Sequence, residues 1–103
     1  DRAEAALSLA RLEGAQQAAR ARRELALALD RLKRSARLVA SANSVAQLSL
    51  LAYREGASTL PNVLEAQRAA RETLAQYVDD MAAARNAAGI VHLLTLTAHR
   101  NDQ

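Results

Sequence analysis

Apolar residues recur every three or four positions along most of this chain, and one short segment breaks the rhythm. In the first half the line is Ala18, Ala21, Leu25, Ala28, Leu32, Ser35, Val39, Ala42, Ala46, Ser49 and Tyr53. Steps alternating between three and four are the heptad spacing of a left-handed coiled coil. In the second half the line is Val63, Ala66, Ala70, Leu74, Tyr77, Met81, Ala84, Ala88, Val91 and Thr95. Between the two halves lie Gly56 and Pro61, with Ser58 and Thr59 between them. That order reads as helix stop, short turn, helix start. The pattern predicts an all-α chain, a long antiparallel two-helix coiled-coil hairpin. Helix one is expected over about 2–54, the tip over 55–61, helix two over about 60–96 and a loose tail over 97–103. The alternation in Leu93, Leu94, Thr95, Leu96 and Thr97 could mark a short strand, but the periodicity upstream favours continued helix.

Each helix carries a second apolar line. On helix one it is Leu27, Leu38, Val45, Leu48 and Ala52, and on helix two it is Ala75, Val78, Ala82 and Ile90. A helix that is apolar on two sides has neighbours on two sides. The hairpin is therefore expected to assemble into a helical bundle or a barrel wall rather than stand alone. The first third is weaker, because Gly14 interrupts it and Arg11 falls on the seam, so fraying or a break is expected near Gly14.

At the turn, Gly56 is expected in the left-handed conformation that ends helix one. Ser58 or Thr59 can cap helix two, and Asn62 with Glu65 offers an alternative cap. Pro61 costs little in a first turn. These roles explain the turn without any further function.

Composition sharpens this reading. Half of the 103 residues are hydrophobic, yet Tyr53 and Tyr77 are the only aromatics and alanine dominates. Alanine, leucine and charge favour long, closely spaced helices over a globular core. Two helices bury only one stripe against each other, so the chain should need self-association or the rest of a larger protein. There is no cysteine, which excludes disulfides and thiolate metal sites. No apolar run is long enough to span a bilayer. Asp1, Arg2, Ala3 and Glu4 do not resemble a signal peptide.

The net charge is +3, carried by arginines and the single Lys33. The band Arg20, Arg22, Arg23, Arg31, Lys33, Arg34 and Arg37 spreads around the helix and alternates with Glu24 and Asp30. A solvated face with i,i+4 ion pairs is expected there, not a nucleic-acid interface. His92 and His99 lie about two turns apart, too far to share one ion, so no metal site is expected. Asp79 and Asp80 are adjacent and point to different sides, as a solvated or pore-facing pair would. There is no phosphate loop and no nucleophile elbow, so neither catalysis nor a cofactor is expected.

The segment from Tyr53 to Gln67 adds a resemblance. Tyr53, Gly56, Thr59, Leu60, Val63, Leu64, Glu65, Ala66 and Gln67 match a Tyr-x-x-Gly-x-x-Ser/Thr-hydrophobic-x-x-Val-Leu-acid-Ala-Gln signature. That signature resembles the TolC-like outer-membrane efflux proteins, the trimeric exit ducts of bacterial tripartite pumps. With its helical flanks the likeness covers nearly the whole chain. It implies a periplasmic hairpin whose tip, Gly56, Ala57, Ser58, Thr59 and Leu60, receives the periplasmic adaptor (membrane fusion) protein. It also implies a tip gate involving Tyr53, Asn62 and Glu65. Ser58 stands where some members place an arginine and Asn62 where many place an aspartate, so a neutral closure is expected rather than an ionic latch. The general likeness leans toward the heavy-metal cation efflux group. On this reading the membrane barrel strands and secretion signal lie outside the given segment, and the full protein is a trimer. The alternative is a generic coiled-coil interaction module, such as an adaptor hairpin. A basic nucleic-acid binder is a third and weaker reading.

Overall fold

The computed structural model describes residues 1–101. Two helices make up the fold, α1 over Arg2–Arg54 and α2 over Leu60–Asn101, with no strand among the described residues. The chain is an all-α helical hairpin. Its contacts divide into two compact units, Asp1–Leu29 with Ala83–Gln103, and Asp30–Ala82.

α1 begins with Asp1 as its cap. The Asp1 carboxylate accepts from the Ala3 amide at 3.3 Å, and its carbonyl accepts from the Ala5 amide at 3.0 Å. The helix runs through Gly14 without a break, contrary to the expectation from sequence. One glycine costs only about 1 kcal/mol in a helix interior, and its neighbours are good helix formers. α2 likewise continues past residue 96 to Asn101, so the part of the expected loose tail that is described is helical. Thr95 and Thr97 donate their hydroxyls to the carbonyls of Val91 and Leu93, both at 2.9 Å. These back-bonds satisfy the β-branched residues within a helix rather than a strand. Asp102 and Gln103 lie outside the described residues.

The seam of α1 follows the expected line. Every member from Ala18 to Ser49 is buried or half-buried, while Tyr53 is exposed. α2 departs from expectation. Its covered line is Val63, Ala66, Ala70, Thr73, Tyr77, Asp80, Ala84, Ala87, Val91 and Leu94, a strict alternation of three and four. Leu74, Ala88 and Thr95, which the sequence placed on the seam, are exposed. Met81 remains half-buried at its edge.

The core is narrow. In the unit Asp1–Leu29 with Ala83–Gln103 its buried apolar residues are Ala21, Ala28 and Ala84. In the unit Asp30–Ala82 it is Val63, with Ser35 buried beside the apolar line. Small side chains at these layers let two helix backbones approach closely.

Candidate partner-docking tip and outer faces

The tip is built by two adjoining caps. Gly56 has φ +79°, the left-handed conformation expected of a helix terminator. The Ala57 amide donates to the Ala52 carbonyl at 2.8 Å, and the Gly56 amide donates to the Tyr53 carbonyl at 3.0 Å. This six-to-one and five-to-two pair is the Schellman motif, and it satisfies carbonyls the ended helix would leave open. Thr59 then caps α2. Its carbonyl accepts from the Val63 amide at 3.2 Å and its hydroxyl from the Asn62 amide at 3.4 Å. Of the caps the sequence offered, Thr59 is the one used. Leu60 and Pro61 follow as the first two helical residues, where a missing amide hydrogen costs nothing.

The five tip residues Gly56, Ala57, Ser58, Thr59 and Leu60 therefore form one short loop and helix start. All are exposed except Ser58, which is half-buried. A β-carbon built on Gly56 would meet nothing within 4 Å. Beneath the loop Val63 is 3 % exposed, the most buried apolar residue among those described, and it closes the seam.

The three residues assigned to a tip gate are not bonded to one another within this chain. Tyr53 is 41 % exposed and its hydroxyl makes no hydrogen bond. Asn62 contributes its backbone amide to the Thr59 cap. Glu65 faces Arg68 at 3.8 Å, and Arg68 bonds Glu72 at 3.1 Å on its other side. The hydrogen bond to Glu72, then the charges of Glu72 and Glu65, hold the Arg68 guanidinium above its usual pKa.

One polar cluster escaped the sequence reading. Asp80 is half-buried on the seam, not solvated as expected, whereas Asp79 is exposed. The Ser35 hydroxyl donates to Asp80, and the Gln76 amide donates to its second carboxylate oxygen at 3.0 Å. Ser35 is only 5 % exposed. The strict heptad count from Val63 would have found Asp80, but its charge argued for the surface. The basic band is a further correction. None of its seven cations makes an ion pair among the described residues, although they are solvated as expected.

The outer faces keep much apolar surface. Leu27, Leu38, Val45 and Leu48 of the second line on α1 are 55–65 % exposed, and Val78 and Ile90 of α2 are also open. No helix of the described residues is long and apolar enough to cross a membrane. Comparison of the chain with protein-family models, with curated proteins and with solved structures finds no match.

Proposed function

We propose that this chain is the periplasmic α-helical hairpin of an outer-membrane efflux duct in a tripartite export pump. It would act as channel wall, tip gate and adaptor-docking surface within a larger trimeric protein. The observation that supports this most is the apolar surface left open on both helices away from their shared seam. A helix in a wall has a neighbour on each side, and such surface is what those neighbours would cover. The tip adds to it. The loop from Gly56 to Thr59 is short, small and exposed, with open space around Gly56 for an adaptor's hairpin tip. Tyr53, Asn62 and Glu65 carry groups that can hydrogen-bond across to neighbouring hairpins, giving a neutral closure. Between metal cations and organic compounds as the exported substrate, the general likeness of the tip and second helix leans toward metal cations.

The test is efflux by the full-length protein carrying substitutions at Gly56. Gly56→Ala imposes most of the left-handed backbone penalty but little bulk, whereas Gly56→Trp adds a side chain in the docking space. Alanine is expected to leave transport partly intact and tryptophan to abolish it, with the duct still reaching the outer membrane. Wild-type efflux from both variants at normal expression would sink the docking role.

A further inference from the structure

We infer that one flank of the unit Asp30–Ala82 is a two-fold docking surface for a second copy of this chain. The flank is defined by a shallow groove whose lining includes Leu38 from α1 and Ala69, Glu72 and Gln76 from α2, above Ser35 and Thr73 of the seam. Residues three, four or seven apart share a helix face, so the groove's edges can be extended. Along α1 the edge runs Arg31, Arg34, Leu38, Val45, and along α2 it runs Glu65, Ala69, Glu72, Gln76, Asp79. Arg31 and Arg34 are exposed and make no ion pair among the described residues. On the other edge three carboxylates share one cation, since Arg68 serves Glu65 and Glu72 and Asp79 has none.

At the level of the Ser35–Asp80 bond this surface sets a cation on one edge against a carboxylate on the other, and that layer is complementary to itself under a two-fold rotation. If the axis runs parallel to the helices, α1 of one copy lies over α2 of the other, as in a four-helix bundle. Such a rotation keeps every residue at its own height. The Ser35–Asp80 hydrogen bond puts Arg34 and Asp79 at neighbouring levels. Arg34 of each copy therefore meets Asp79 of its partner, while Leu38 and Val45 cover the groove. The opposite flank lacks this property. There the charged residues are Lys33 and Arg54 from α1 and Arg71 from α2, all cations, so two copies brought together on that flank would repel. The inference concerns the chain's own face and does not rest on the duct reading, so failure of the efflux test would leave it intact.

Sedimentation equilibrium of the full chain tests it, with circular dichroism confirming that each variant stays helical. The wild-type chain is expected to saturate as a dimer. Arg34→Glu and Asp79→Arg should each weaken that dimer about tenfold or more, from two like-charge contacts per dimer. Combining the two restores opposite charges and should return the affinity toward wild type. Lys33→Glu, on the other flank, should leave the dimer no weaker. A chain that stays monomeric at high concentration, or one that grows past the dimer, would overturn the inference. So would a double variant as weak as either single one.

Discussion

The glycines make opposite demands on a single added methyl group, and this separates turn from helix at the residue scale. At Gly56 a β-carbon has open space, so the cost of alanine is conformational alone, from φ +79°. Gly56→Ala should destabilise the hairpin by about 1 kcal/mol. Gly14 also has nothing within 4 Å of a built β-carbon but sits in regular helix. Gly14→Ala should therefore stabilise by about 0.5–1 kcal/mol through chain entropy and helix propensity. Chemical denaturation followed by circular dichroism reads both, and shifts of the same sign would refute this account. The left-handed Gly56 was legible in sequence because a glycine between a helix pattern and a proline has few other uses. The continuity of α1 at Gly14 was not, because the breaking tendency of one glycine is small beside the propensity of the residues around it.

At the scale of the element, the seam of α2 shows where apolar patterning misleads. Counting strictly from Val63 leads to Thr73, Asp80, Ala87 and Leu94, while taking the more apolar Leu74 over Thr73 and Met81 over Asp80 shifts the count by one and carries it on to Ala88 and Thr95. The structure covers the first set, because partner geometry follows the heptad and tolerates a polar member that finds a bond. α1 offered no such conflict, and its line from Ala18 to Ser49 was readable throughout. The polar layer carries a testable asymmetry. Removing one partner strands the other, whereas removing both removes the need. Ser35→Ala should cost about 1–2 kcal/mol, since Asp80 keeps only its Gln76 donor. Adding Asp80→Ala to it should recover much of that loss, because an apolar pair suits the alanine-rich seam. A double-mutant cycle by denaturation measures the coupling. Additive losses would mean that the two side chains do not depend on each other.

For the whole molecule, the balance between covered and open apolar surface decides how the chain behaves alone. The buried apolar residues are Ala21, Ala28, Val63 and Ala84, only one of them larger than alanine. Leucines off the seam, among them Leu7, Leu12, Leu38, Leu48, Leu93 and Leu96, remain about half exposed or more. Ordering one residue costs about 1–2 kcal/mol of backbone entropy, and an alanine-lined seam returns little of that as buried apolar area. A lone hairpin is therefore marginal, and whatever covers the open faces supplies much of its stability. Two-sided apolarity was visible in the sequence, but the flank that pairs was not. That choice depends on which charges flank the groove, and a one-residue error in the α2 seam moves every one of them. The consequence is mass action. If folding and association are linked, the melting temperature must rise with chain concentration. A hundredfold increase should add about 2.7 kcal/mol per mole of dimer, which spread over the two chains is roughly 5–10 °C. Melting curves across such a range would decide it. A melting temperature that does not move with concentration would mean that the narrow alanine seam suffices and that the exposed leucines contribute nothing to folding.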